Sequence, residues 1–326
     1  MRLSRLTLPV LTLAIGLIVG LWYGQSNGSS TSASTSMQMR NNEGTFTNPL
    51  LECDVAEDTI AALKINFKAE LEKFVHTLEG RTSVQRIAVY FRDLNNGPTF
   101  GIQQNDPFIP ASLLKVPVMM AYFSETESDP NILQKKLLFT KSAAPDIRQT
   151  ILPAQHLTSG KEYSINELIK RMIVYSDNDA LILLFKTLPI EDHRHLYNLL
   201  GVDSSVISDP TAALTVKQYA AFFRILFNAS FISQKYSEEA LTLLASTDFD
   251  SGLRKGVPER IPVAHKFGER QIATSEQHLH DCGIVYYPKH PYLLCVMTRG
   301  ANTSTLERAI ADISKFVYEK IDEQYR

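Results

Sequence analysis

Ser112 and Lys115 stand three residues apart in Ser-Leu-Leu-Lys, where the apolar pattern predicts the start of a helix. Residues at i and i+3 of a helix share a face, so this spacing brings an amine towards a hydroxyl. A serine hydroxyl is a weak nucleophile until a base takes its proton, and a lysine kept partly neutral is such a base. The chemistry suggested is acyl transfer, with attack on a carbonyl and formation of an acyl-enzyme. Taken alone, the tetrad reads better as a helix cap followed by a solvated lysine. Two later segments change the balance. Ser176-Asp177-Asn178 lies within VYSDNDALILL, and His265-Lys266-Phe267-Gly268 lies within PVAHKFGER. Singly, Ser176 and Asp177 read as caps of a helix beginning near Asn178. Asn178 reads as a satisfied core amide, and Lys266 as a solvated strand residue. In one chain and in this order, they read better as parts of one site.

S-x-x-K, S-D-N and K-T-G, in that order, are the signature set of class A β-lactamases and penicillin-binding proteins. The chain resembles this family of serine hydrolases over roughly residues 54 to 326. GKEYSINELIKRMIVYSDNDA, GLRKGVPERIPVAHKFG and HDCGIVYYPKHPYLLCVMTRG are similar to the segments around its second and third motifs. The resemblance implies an α+β fold of the β-lactamase/DD-peptidase type, with an antiparallel sheet flanked by helices and an all-helical subdomain. The sheet part would come from about 54–110 and 255–326, the helical part from about 111–254. The resemblance also implies roles. Ser112 would be the nucleophile and Lys115 its base, while Ser176 would pass a proton to the leaving nitrogen. Asn178 would bind the substrate's side-chain amide, and Lys266, with Gly268 beside it, would attract the substrate carboxylate. The backbone amides of Ser112 and Glu269 would form the oxyanion hole. No cofactor and no metal is called for.

Two positions depart from the pattern. Phe267 stands where the family has Thr or Ser, which removes a hydroxyl donor to the substrate carboxylate. The loop that carries the deacylating glutamate looks absent. Gly201 to Pro210 runs quickly into TAALTVKQYAAFFR, leaving Asp203 and Asp209 as the carboxylates of the connection, with Asp209 the candidate for that role. Three functions follow. The first is a serine hydrolase of the class A β-lactamase type, acting on β-lactam amides. The second is a penicillin-binding-type peptidase or esterase acting on D-alanyl peptides of the cell wall. The third is a membrane-tethered binding protein without turnover.

The elements that must position these residues are legible in the apolar spacing. Ile60, Leu63, Phe67, Leu71, Phe74, Val75 and Leu78 predict a helix over Asp54 to Leu78, stopped by Gly80. Arg86 to Arg92 reads as a strand that turns at Asn95-Asn96-Gly97-Pro98 and returns over Thr99 to Ile102. Helices are expected at Ile165 to Val174, Asn178 to Phe185 and Val216 to Phe227. Strands are expected near Val263 to Phe267, Cys282 to Tyr287 and Tyr292 to Thr298. Ser304-Thr305-Leu306-Glu307 reads as a capping box before a last helix with Ile310, Ile313, Val317 and Ile321 on one stripe.

Leu6 to Tyr23 is apolar, follows Arg2 and Arg5, and at about 18 residues is long enough to span a bilayer. Residues 1–24 are therefore expected to be an anchor or a signal segment, an uncleaved anchor being preferred. Residues 25–53, rich in Ser, Thr, Asn and Gly, read as a linker. The hydrolase domain of 54–326 would then lie outside the cytoplasm as a monomer. A net charge of −2 gives no basic excess for nucleic acid. Of three cysteines, Cys282 and Cys295 fall on two strands of one expected hairpin. They would be either a disulfide or two buried thiols, the latter being favoured because strand register cannot be read to one residue.

Overall fold

The structure, a computed structural model, describes residues 38–40, 44–53, 67–81, 83–95, 98–140, 150–187, 190–209 and 211–326. The apolar segment Leu6 to Tyr23 and the first half of the expected first helix lie outside them. Among the described residues, no helix is long and apolar enough to cross a membrane.

Residues 38–52 and 63–326 form one compact unit. Its centre is a five-stranded sheet of β1 (Val84–Asp93), β2 (Thr99–Ile102), β3 (Val263–Ala273), β4 (Glu276–Val285) and β5 (Tyr292–Gly300). The order across the sheet is β2-β1-β5-β4-β3, with every neighbouring pair antiparallel. Strands from the two ends of the chain thus pair in the middle, at β1 and β5. Strand β3, which carries Lys266 to Glu269, is an edge strand.

The helices are α1 (Lys68–Arg81), α2 (Lys115–Glu125), α3 (Ile165–Val174), α4 (Asn178–Phe185), α5 (Ile190–Leu199), α6 (Val216–Phe227), α7 (Gln234–Ala245) and α8 (Thr303–Tyr325). Successive residues of a strand point to opposite faces, and the sheet separates two cores. Ile87, Val89 and Phe91 of β1 pack in one cluster with Leu71 and Val75 of α1 and Ile310, Ile313 and Val317 of α8. Ala88 and Tyr90 belong to the other cluster, which holds the buried faces of α2, α3, α6 and α7. Both faces being covered explains why β3, β4 and β5 are buried along most of their lengths instead of alternating between buried and exposed positions. The fold is α+β, as expected.

The structure differs from the expectations in local ways. Helix α1 runs through Gly80 to Arg81 instead of stopping there. Helix α8 is capped by Asn302, not Ser304. The Asn302 carboxamide oxygen accepts the Thr305 amide at 2.9 Å, because the extended backbone of Asn302 aims it at the third helical position. A true capping box closes α6, where Thr215 and Gln218 satisfy each other's backbone amides. Helix α7 had no counterpart in the sequence reading. Cys282 and Cys295 are direct register partners on β4 and β5, and they form a disulfide. That overturns the expectation of two thiols. Direct pairing brings opposed β-carbons close enough to bridge, and only the register decides that.

Candidate active site

Ser112 does not begin an α-helix. It sits in a 3₁₀ turn, Ala111–Leu114, and α2 starts at Lys115. Ala111 has φ +50°, in the left-handed region that costs a non-glycine residue energy. The turn is held at several points. The Leu113 amide donates to the Pro110 carbonyl at 3.1 Å. The buried Tyr219 hydroxyl of α6 donates to the Leu113 carbonyl at 2.9 Å. His280 of β4 is fully buried and 2.9 Å from the Ile109 carbonyl through Nε2, while its Nδ1 accepts the Thr298 amide at 3.2 Å. That pattern requires the Nε2–H tautomer. Burial and the neighbouring His278 push its pKa down to about 3, so the ring stays neutral. Pro117 falls in the first turn of α2, where no intrahelical amide bond is lost.

Gly268 of β3 lies against this turn. A β-carbon there would be 2.6 Å from the Pro110 carbonyl oxygen, 2.9 Å from Leu113 Cγ and 3.0 Å from the Leu113 amide nitrogen. Glycine is therefore required for the edge strand to approach the serine turn this closely.

Lys115 is fully buried. Its Nζ donates to the Ser176 carbonyl at 2.5 Å, to the Ser176 hydroxyl at 3.0 Å and to Asn178 Oδ1 at 2.8 Å. Burial first, then the charge of Lys266, hold its pKa well below the ordinary lysine range, with Asp177 pulling the other way. Ser176 occupies the left-handed region, with φ +55°, and its carbonyl and hydroxyl both face the amine. Asp177 caps α4: its Oδ1 accepts the amides of Asp179 and Ala180 at 2.8 and 3.2 Å. Its Oδ2 is buried without a hydrogen-bond partner among the described residues. Burial accordingly raises this carboxyl above its usual pKa. Asn178, the first residue of α4, points its amide oxygen back at Lys115. Asp177 is thus the cap that the structural reading of the motif predicted, and the flanking Ser176 and Asn178 are free to engage the lysine.

Lys266 is also fully buried. Its Nζ is 3.0 Å from the Ser176 hydroxyl and 3.0 Å from the Phe267 carbonyl. It lies 4.0 Å from the centroid of the Phe267 ring, within cation–π range. Burial lowers its pKa to about 7 against the opposing charges of Asp281 and Asp248. The Ser176 hydroxyl is therefore 3.0 Å from two lysine nitrogens, both displaced towards the neutral amine. A hydroxyl has one proton and two lone pairs, so it can accept from one amine while donating to the other. In this arrangement a proton can pass between Lys115 and Lys266 through the Ser176 hydroxyl.

Glu269 follows Gly268 on β3. Its side chain is buried, and its carboxylate accepts the Thr150 amide at 3.0 and 3.2 Å and the Ile151 amide at 2.9 Å. Asp209 lies in an exposed turn, where its carboxylate takes the Thr211 amide and hydroxyl at 2.8 and 2.6 Å. Its contacts stay within that turn. Sequence reasoning also missed a supporting pair beneath the third motif. His265 Nδ1 is 2.9 and 3.0 Å from the carboxylate oxygens of Asp281, which also accepts the Leu253 amide at 2.8 Å. The available signal was an acidic residue, Asp281, directly before the expected strand Cys282 to Tyr287. Among the described residues, no group of His, Cys, Asp and Glu could hold a metal ion.

The sequence profile of the β-lactamase enzyme family matches residues 67–321, which takes in the serine turn, the S-D-N loop and the lysine strand. The chain belongs to the β-lactamase enzyme family. A β-lactamase of Proteus vulgaris is 22% identical over 246 residues, 71% of this chain and 88% of that protein. Among solved structures, PBP-A superposes with a TM-score of 0.68 at 21% identity, covering 78% of this chain and 97% of the other. A β-lactamase from Chitinophaga pinensis gives a TM-score of 0.68 at 20% identity, over 77% and 99% of the two chains. At these identities the superpositions show the β-lactamase fold. The arrangement of Lys115, Ser176 and Lys266 is this chain's own evidence about chemistry.

Proposed function

We propose that this β-lactamase-family chain is a serine hydrolase of the class A type that acts through an acyl-enzyme at Ser112. The observation that carries the reading is the Ser176 hydroxyl held 3.0 Å from both Lys115 and Lys266. A structural role does not require two buried lysines sharing one hydroxyl, an arrangement that is costly unless the amines can be neutral. Neutral Lys115 takes the Ser112 proton as the Ser112 oxygen bonds to the carbonyl carbon of the acyl donor. The backbone amides of Ser112 and Glu269 receive the developing oxyanion. The carbon–nitrogen bond then breaks, and the proton reaches the leaving nitrogen from Lys115 through Ser176. Asn178 orients Lys115 and the donor's amide. Solvent water releases the acyl group from Ser112.

Release is the slow part of this scheme. A β-lactam acyl-enzyme needs a positioned water and a base for fast hydrolysis. Asp209, whose carboxylate is occupied by Thr211 in an exposed turn, supports no such role. The penicillin-binding-type reading, with a D-alanyl peptide as natural substrate and β-lactams as slow inhibitors, is favoured by that observation. A solved structure of a PBP-A point mutant, 20% identical to this chain with a TM-score of 0.66, is an acyl-enzyme complex with penicillin G. The basic flank and apolar stretch of residues 1–24 support a tethered, extracytoplasmic location, and we take the domain to be monomeric.

Labelled penicillin tests the reading. Covalent labelling is expected in the wild type, absent in Ser112→Ala, with decay over minutes or longer. Rapid multi-turnover hydrolysis would refute slow release. Labelling retained in Ser112→Ala would refute the nucleophile.

A further inference from the structure

A cavity of about 500 Å³ opens between β1 and α6, within the size range that takes small organic ligands. It lies away from the lysine cluster. Strands β5 and β4 separate β1 from β3, which at the usual strand spacing is roughly 14 Å. Three cations line the cavity: Arg92 from β1, and Lys217 and Arg224 from α6. The lining holds no carboxylate. The acids nearest in sequence are committed elsewhere. Asp93, the next residue of β1, turns to the other face of the sheet and accepts the Asn95 amide at 2.7 Å. Asp106, one residue past the lining, pairs with Arg86. Among the described residues, none of the three cations is in an ion pair. In a chain of formal net charge −2, this is a local excess of positive charge around a concavity.

The sequence of α6 explains the shape. Lys217, Ala220, Ala221 and Arg224 recur at i, i+3, i+4 and i+7, which is one face of the helix. The two alanines form a low floor between long basic side chains that leave the helix about 10 Å apart. Arg92 faces them from the strand. Gln218 gives its side-chain oxygen to the Thr215 amide at 3.0 Å, so its NH₂ group is left for a ligand. A carboxylate has two oxygens in one plane, which a single guanidinium satisfies. A phosphate monoester presents three oxygens in diverging directions and carries about −1.5 to −2 charge at pH 7. The latter matches cations placed at three corners.

We propose that this cavity is a binding site for a phosphate monoester or diphosphate, separate from the acyl-transfer site. Arg92 and Arg224 hold the phosphate oxygens in charge-assisted hydrogen bonds, and Lys217 adds a point charge.

Pyrophosphate is the probe. The full chain, reconstituted in phosphatidylcholine nanodiscs, is titrated by calorimetry in metal-free buffer. One saturable site is expected, with an affinity that falls as NaCl rises, because Lys217 and Arg224 are exposed. Arg224→Gln and Arg92→Gln are each expected to weaken binding by about tenfold or more, the worth of one hydrogen bond to a charged group. Ser112→Ala is expected to bind as the wild type does. Replacing part of the lipid with phosphatidic acid identifies the source of the phosphate. A weaker apparent affinity for pyrophosphate assigns the site to a lipid phosphate, and an unchanged one to a soluble phosphate. Absence of saturable binding to the wild type would overturn the proposal. So would binding unchanged in the folded arginine variants, binding lost in Ser112→Ala, or citrate bound as tightly as pyrophosphate. If Arg92→Gln does not fold, Arg224→Gln, at an exposed helix position, decides.

Discussion

Gly268→Ala is the most direct probe of how the fold places the nucleophile. The added β-carbon would sit 2.6 Å from the Pro110 carbonyl oxygen, where ordinary contact begins at 3.4 Å, so about 0.8 Å must be found. Two of the three obstructing atoms, the Pro110 oxygen and the Leu113 nitrogen, are backbone atoms of the serine turn. They cannot rotate away. The turn is also fastened from behind by Tyr219 and His280. The strain must therefore be shared between the edge strand and the Ser112 turn. Overpacking of this kind costs about 1–3 kcal/mol in stability. A displacement of roughly 1 Å in a reacting group costs about 10²-fold in rate. The expected result is a folded protein that unfolds a few degrees earlier and acylates roughly 10- to 100-fold more slowly. Thermal denaturation and the acylation rate constant, measured on one preparation, read both effects. Leu113→Ala should not rescue the variant, because it clears only the Cγ contact. Acylation within twofold of wild type in folded Gly268→Ala would refute the close approach of β3 to the serine turn.

Two further substitutions address the proton path. Lys115→Met keeps the volume but removes the base, and acylation should fall by about 10²–10⁴-fold, the usual contribution of a general base. Near-normal acylation measured by stopped flow would remove Lys115 from that role. The pH profile of acylation should rise as Lys115, held well below the lysine range first by burial and then by the charge of Lys266, loses its proton, and should stay level above that point. Lys266→Met, which removes that charge, should move the rise to higher pH. A rise that stays in place would remove the charge of Lys266 from the tuning of Lys115.

The sequence by itself determined most of the elements and marked Lys115, Ser176, Asn178 and Lys266, whose side chains the structure gathers within hydrogen-bond reach. Ser112, Lys115, Ser176, Asn178 and Lys266 were legible because each needs a specific functional group at a fixed local spacing. Helices α3, α4, α6 and α8 were legible because their buried faces recur at a helical period. Local signals of that kind survive in one dimension. Helix α7 was missed where Ser, Glu and Thr interrupt its apolar stripe. The pairing of Cys282 with Cys295, the Asp281 support under His265 and the grip of Glu269 on Thr150 and Ile151 were not legible. Each depends on strand register or on a contact between residues far apart in the chain, and a shift of one residue would reverse it. The same reason separates the motif from the site. Spacing suggested that Lys115 faces Ser112. The tertiary structure also aims its amine at Ser176 and Asn178, residues at the start of α4 that only the packing of α3 against α2 brings within 3.0 Å.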